Sequence, residues 1–280
     1  MRAVVLDEQG QPALADVPEP EGDGELVRVI ACGLCGSDLE KIGAAPPGTV
    51  LGHEVVAEAD GRRLALVHHL PCGECERCLA GHESTCDRFR AATIVPGGFA
   101  ERVRATETLS LPEGLDDATT TYVEPLACVL RAAERLPQGR VLVVGNGFVG
   151  RLFGAVLEKR GEEVFAIDRD PRRDGRHPHR PVDAAVLCAS GGATEAADAL
   201  APGGTLVVFA PSAPLALDAV YRRELTVVGS RSATPRHMRD AVALLPELDL
   251  PAPTVLPLER FAEGLERYRT GRALKVVFTP

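Results

Sequence analysis

The chain has no surplus of basic residues: among its 280 residues, 31 lysines and arginines face 40 aspartates and glutamates, a formal net charge of −9 at pH 7. A nucleic-acid partner needs a basic stripe, and the densest basic run, Arg169 to Arg180, is broken by Asp170, Asp174 and prolines, so it reads as a solvated loop. No apolar run approaches the roughly 18 residues that span a bilayer, and the opening MRAVVLDEQG lacks the apolar core of a signal peptide. The expectation is cytoplasmic residence with no membrane partner. Internal repeats and low-complexity tails are missing as well. What remains is an ordinary globular composition, 45% hydrophobic and 25% charged, long enough for one or two domains.

Eight cysteines are present, and their placement says more than their number. In a small secreted chain they would suggest disulfides, whereas clustered cysteines in a cytosolic chain point to metal or catalysis. Cys72, Cys75, Cys78 and Cys86 bring four thiolates within 15 residues. Four such ligands surround one tetrahedral Zn²⁺ and leave no position open, which makes that site structural. Cys32, Cys128 and Cys188 lack partners at ligand spacing and read as core thiols. His68, His69 and His82 flank the cysteine lobe; surface or supporting roles suit them, with His68 or His69 at the border of a substrate pocket.

The second half is organised around VLVVGNGFVG, Val141 to Gly150. A buried strand runs into the turn Gly145-Asn146-Gly147-Phe148-Val149-Gly150, and a helix follows. In this G-x-G-x-x-G pattern the first glycine makes the turn, the second admits a pyrophosphate to the backbone amides, and the third lets helix pack on strand. A second apolar strand, VFAI, ends on Asp168, placed to grip a ribose 2′-hydroxyl. Five apolar runs without alternation, VLVVG, VFAID, AAVLCA, TLVVFA and LTVVGS, indicate a parallel sheet covered on both faces. The stretch from Arg169 to Val182 is too short and too rich in proline and glycine for a full unit, so the sheet is abridged there. Residues 1 to about 112 instead alternate short apolar runs with turn-formers, as a mostly antiparallel β domain does. A helix is expected from Asp116 or Asp117 to Arg135, interrupted at Glu124-Pro125, and the terminal strand Leu274 to Phe278 is expected to rejoin the first domain. The fold class is therefore α/β: a Rossmann doubly wound sheet over 116–251 beside a β domain formed by 1–115 and 252–280.

The spacing of the four clustered cysteines resembles the structural-zinc lobe of zinc-dependent medium-chain alcohol dehydrogenases. Cys32-Gly33-Leu34-Cys35-Gly36-Ser37-Asp38 and Gly52-His53-Glu54 are similar to that family's first two catalytic-zinc segments, and Glu124-Pro125-Leu126 to the third, in the form of its polyol dehydrogenase branch. The likeness runs from MRAVVL to LKVVF. It implies a GroES-like first domain and a second, catalytic zinc held by Cys35, His53 and either Glu54 or Glu124, hence two zincs per chain. It implies that Ser37 passes the alcohol's proton outward, with Glu40 where relatives often keep a relay histidine. The cofactor contacts would be Gly145, Gly147, Phe148, Val149, Gly150, Asp168 and Arg169, the last stacking near the adenine. Asp168 favours NAD over NADP, although Arg169, Arg172 and Arg173 would welcome a 2′-phosphate. The implied activity is hydride transfer between a secondary alcohol, polyol or sugar-like, and NAD, in a homodimer or homotetramer with the strand near Leu225 to Gly229 as one interface. The alternatives are an NADP-linked alcohol or aldehyde reductase and a non-catalytic dinucleotide-binding zinc protein. Trimmed stretches at Leu39–Gly52, at Glu58–Arg62 and after Asp168 make the chain shorter than typical members.

Overall fold

The structure, a computed structural model, describes residues 1–88 and 93–280, and its elements are counted over those. It separates into two compact units, one of Met1–Leu126, Ala233–Pro246 and Pro251–Pro280, the other of Ala127–Ser232 and Glu247–Leu250.

The first unit begins with β1 (Arg2–Leu6) and β2 (Pro12–Asp16), an antiparallel pair. There follow β3 (Glu25–Gly33), α1 (Gly36–Lys41), β4 (Glu54–Ala59), β5 (Arg62–Leu66), α2 (Glu76–Leu79), β6 (Ile94–Val95), β7 (Arg102–Ala105), β8 (Thr108–Ser110), α3 (Asp117–Thr120) and the first residues of α4 (Val123–Ala133), which from Ala127 on belongs to the second unit. Alternation makes β3 half-buried: Val27, Val29 and Ala31 point inward while Leu26 and Arg28 face water. The β4–β5 turn is Asp60-Gly61, both at positive φ (48° and 72°), the two-residue hairpin that a short link demands. Phe99, Phe261 and Phe278 stack at 4.5–5.6 Å in the core beneath this sheet.

The second unit holds β9 (Arg140–Val144), α5 (Phe148–Lys159), β10 (Glu163–Ile167), β11 (Val182–Leu187), α6 (Ala193–Ala199), β12 (Leu200–Val208), α7 (Leu217–Arg222) and β13 (Thr226–Gly229). All five apolar runs form strands of one parallel sheet in the order β10-β9-β11-β12-β13. Every residue of the inner strand β9 is buried, as a strand covered on both faces requires. No strand forms between β10 and β11. The expected abridged segment instead folds along the outer edge of β10, where Ala166 N–H donates to Arg176 O (3.0 Å) and the Arg176 guanidinium lies 4.5 Å from the Phe165 ring. The chain then returns to the first unit with α8 (Pro235–Leu244), β14 (Thr254–Pro257), α9 (Phe261–Arg269) and β15 (Val276–Thr279), and β15 pairs with both β14 and β3. Among the described residues, no helix is long and apolar enough to cross a membrane.

Two sequence expectations need correction. The helix break falls at Thr121-Tyr122, not at Glu124-Pro125; Pro125 sits in the first turn of α4, where its missing N–H would have had no partner anyway. The boundaries at 115/116 and 251/252 also differ from the observed units. Ala118 of α3 packs on Ala31, Val56 and Val277, and the Tyr122 hydroxyl donates to Pro251 O (2.8 Å), so residues 116–126 go with the first unit, as do 233–246.

Asp116 caps α3: its Oδ2 accepts from the Thr119 N–H (2.8 Å) and hydroxyl (2.7 Å), which hold its carboxyl below the usual range. A group with a depressed folded pKa contributes stability above its unfolded pKa and loses it only as pH falls through the folded value. Asp116→Ala is therefore expected to cost about 1 kcal/mol. In urea unfolding that penalty stays constant from pH 8 to 6; a penalty that vanished across this range would contradict the cap.

Candidate metal centres and dinucleotide turn

The four cysteines of the lobe converge. Their sulfurs lie 3.6 Å (Cys75 to Cys78), 3.8 Å (Cys75 to Cys86) and 3.9 Å (Cys72 to Cys78) apart, and all eight cysteines of the chain are free thiols. Sulfurs at about 2.3 Å from one tetrahedral zinc stand about 3.8 Å from each other, whereas a disulfide holds them at about 2.05 Å. The donor set fits zinc on geometry as well as on type. Backbone amides already aim at these sulfurs, Cys72 N–H at Cys86 and Cys75 N–H at Cys72, both at 3.3 Å. The N–H groups of Glu74 and Cys75 draw the Cys72 thiol down to about 6, while burial pushes Cys78 up to about 12, so metal uptake would expel at least the Cys78 proton.

A second group forms from Cys35, His53 and Glu54, whose ligand atoms lie within 4.8 Å of one another. Three elements present them: Cys35 at the N-cap position of α1, His53 in the turn before β4, and Glu54 as the first residue of β4. One thiolate, one imidazole and one carboxylate leave a fourth position of a tetrahedral ion open, the donor pattern of a catalytic zinc. Glu124 is not part of this group. It is buried in the first turn of α4, with Oε1 3.8 Å from His69 Nδ1. The His53 and His68 rings stand 4.7 Å apart and those of His68 and His69 4.3 Å, so the three imidazoles line one path from Glu124 to His53. Burial drives His68 down to about 2, leaving that ring neutral.

The sequence reading assigned no role to Asp38, Lys275 or Tyr268. Asp38 is fully buried. Its carboxylate accepts from Cys35 N–H (3.0 Å) and Gly52 N–H (3.3 Å) and stands 3.4 Å from His53 Nδ1, so it ties both ligand-bearing segments together and orients the imidazole. Burial opposes charge on both partners, yet each outweighs it for the other: Asp38 is held below and His53 well above its ordinary value. Lys275 is buried, and its Nζ donates to Leu34 O (3.1 Å) and to Glu54 Oε2. Burial disfavours the ammonium, but the Glu54 charge overrides it and keeps Lys275 above its usual value. A lone lysine in the apolar terminal run ALKVVF was the available signal. Burial lifts the Tyr268 phenol, on α9, to about 12. Ser37 is half-buried in the first turn of α1, and Glu40 is exposed on the same helix.

In the second unit, the glycine turn has the form its pattern implies. Gly145 is at φ +94°, a Cβ on Gly150 would collide with Gly145 O, and Gly147 caps α5, which starts at Phe148 with Val149 next to it. A glycine cradle of this form is the kind that lets a phosphate approach a helix N-terminus. Asp168 follows β10, its Oδ1 accepting from Asp170 N–H (2.8 Å). Arg169 is exposed. Arg172 is bound by the Asp170 carboxylate (2.7 Å), whereas an Arg173 guanidinium nitrogen lies 3.8 Å from where a Gly147 Cβ would stand.

A glycine turn of dinucleotide-binding form and two donor sets of zinc type thus stand on one chain, the combination found in the dehydrogenases of the alcohol dehydrogenase class. Residues 22–113 match the model of the alcohol dehydrogenase GroES-like domain. The chain belongs to the zinc-type, medium-chain alcohol dehydrogenase family, and it is a dehydrogenase. It is 30% identical over 297 positions to a D-altritol 5-dehydrogenase of Agrobacterium fabrum, covering 88% of each chain. It is 27% identical over 343 positions to a sorbitol dehydrogenase of Halalkalibacterium halodurans, covering 100% of this chain and 99% of that one; the alignment exceeds the 280 residues here, so the relative carries segments this chain lacks. Among solved structures, an alcohol dehydrogenase from a Thermus species superposes with a TM-score of 0.82 at 26% identity, covering 100% of this chain and 99% of that one.

Proposed function

We propose that this dehydrogenase oxidises a secondary alcohol, polyol or sugar-like, with NAD, and that Cys35, His53 and Glu54 hold its catalytic zinc while Cys72, Cys75, Cys78 and Cys86 hold a structural one. The observation that carries the reading is the mixed thiolate, imidazole and carboxylate group, its His53 and Glu54 buried and its Cys35 and His53 segments tied together by Asp38, on the same chain as the glycine turn. Relatives named as altritol and sorbitol dehydrogenases support the polyol class. Zinc at the mixed site would supply Lewis acidity that makes a substrate hydroxyl easier to deprotonate. Asp38 keeps the His53 ring oriented for ligation, and Ser37, two residues from Cys35, takes the hydroxyl proton outward. Glu124 and His69, linked to His53 through His68, add hydrogen-bonding groups near the mixed site that suit a polyhydroxylated substrate better than a plain alkyl alcohol. The test is NADH formation over a panel of polyols beside simple alcohols, with zinc per chain from elemental analysis; turnover of no alcohol at all would refute the reading.

For the cofactor, Asp168 at the end of β10 supports NAD, its second carboxylate oxygen serving the ribose 2′-hydroxyl. Arg173 beside Gly147 is the observation that favours NADP. Titration with each dinucleotide separates the two. Asp168→Ala is expected to weaken NAD binding about tenfold or more, the worth of a hydrogen bond to a charged group, while leaving NADP binding equal or tighter. Tighter binding of NADP by the unaltered chain would reverse the choice. We also propose association of copies through the open edge of β13, where Val227 is exposed, as a homodimer or homotetramer.

A further inference from the structure

The mixed donor group has a fourth charged member that a zinc site does not require. Lys275, 2% exposed, reaches from the residue before β15 to donate to Leu34 O and to Oε2 of Glu54. Gly33, at the end of β3, makes this contact sterically open: a Cβ there would collide with Glu54 Oε2 and come within 3.1 Å of Lys275 Cε. β3 and β15 are paired neighbours, Gly33 opposite Val277, so the sheet itself delivers the lysine to the carboxylate. Burying an ammonium is costly unless a counter-charge meets it, and Glu54 is that counter-charge. A metal at Cys35, His53 and Glu54 would draw on the same carboxylate.

We infer that Lys275 is a positioning residue that competes with the metal for Glu54: it engages one carboxylate oxygen, restricts Glu54 to offering the metal the other, and neutralises Glu54 when no metal is bound. The inference rests on the reading that Cys35, His53 and Glu54 hold zinc. Its physical consequence is a trade. With the ammonium present, the metal-free site is stable and the metal is held less tightly. Without it, the site is one charge more negative, so the metal is held more tightly and the metal-free chain loses its internal counter-ion.

The experiment is zinc competition against a chromophoric chelator for the unaltered chain and Lys275→Met, with the phase belonging to the mixed site identified as the one missing from Cys35→Ser. Lys275→Met is expected to bind zinc at this site about tenfold tighter or more, as adding one net negative charge at close range implies. Its visible cobalt(II) spectrum is expected to shift as Glu54 gains freedom to use both oxygens. In a Glu54→Gln background the same substitution is expected to leave the cobalt(II) spectrum unchanged, because no carboxylate is there to be freed. Lys275→Arg supplies a second variant should the methionine chain fail to fold: a guanidinium fork engages both oxygens, so zinc is expected to bind about tenfold more weakly, with a cobalt(II) spectrum that has lost the carboxylate. Zinc affinities within twofold of the unaltered chain and unchanged cobalt(II) spectra would overturn the inference and leave Lys275 a structural lysine. An unaltered zinc content in Cys35→Ser would instead overturn the site assignment beneath it.

Discussion

If the two proposed zincs are bound, Cys35→Ser is expected to leave one of them, and to lower kcat/KM for alcohol oxidation by about a thousandfold or more, several kcal/mol of lost Lewis-acid stabilisation. The fold should survive. Cys35 sits at a helix start on a half-buried position, and the local structure around it is carried by Asp38, which accepts from the Cys35 backbone N–H rather than from its thiol. Far-ultraviolet circular dichroism, NAD affinity and the zinc of the four-cysteine lobe should all be retained. The combination identifies the cause: a folded chain with an intact lobe that still binds NAD has lost chemistry alone. Full turnover in this variant, or loss of both zincs together, would show that the thiolate does not hold a separate catalytic ion.

Cys72→Ser is expected to do the reverse, removing the other zinc and acting first on stability. The lobe has little else to hold it: α2 is a single turn and Leu79 is 76% exposed, so few apolar contacts replace the metal. Four-thiolate zinc sites contribute on the order of 10 kcal/mol to the order of the segment that carries them. The expected result is rapid proteolysis confined to about residues 70–88 and a lower thermal midpoint, with the mixed site still able to take up zinc. A variant as protease-resistant as the unaltered chain would show that the lobe orders itself without metal.

Much of this molecule was legible before any coordinate. The five apolar runs of the second half became the five parallel strands because unbroken runs of valine, leucine and isoleucine have only one use in a sheet covered on both faces. The short, proline- and glycine-rich segment after Asp168 argued against a full helix-strand-helix unit there, and no strand forms between β10 and β11. Local chemistry also made the four-cysteine lobe readable, since ligands within one short segment need little of the rest of the fold to meet. The helix break was misplaced because proline was read as a breaker without regard to its position; within a first turn it breaks nothing.

The mixed site was readable only in part, for a reason of distance along the chain. Cys35, His53 and Glu54 lie close enough in sequence for motif likeness to find them, and Asp38 was inside the quoted segment without a role. Which glutamate joins the group depends on where α4 places Glu124, and there it faces His69. Lys275 lies 221 residues from Glu54, and only the antiparallel pairing of β15 with β3 brings the ammonium to that carboxylate. The sequence by itself determined the strands of the parallel sheet, the glycine turn and the residue types of the candidate metal sites, because each is written in local spacing and side-chain chemistry. Tertiary structure alone decided which carboxylate meets the thiolate and imidazole, and which buried cation stands behind it, because pairing between strands from opposite ends of the chain leaves no periodic trace in either one.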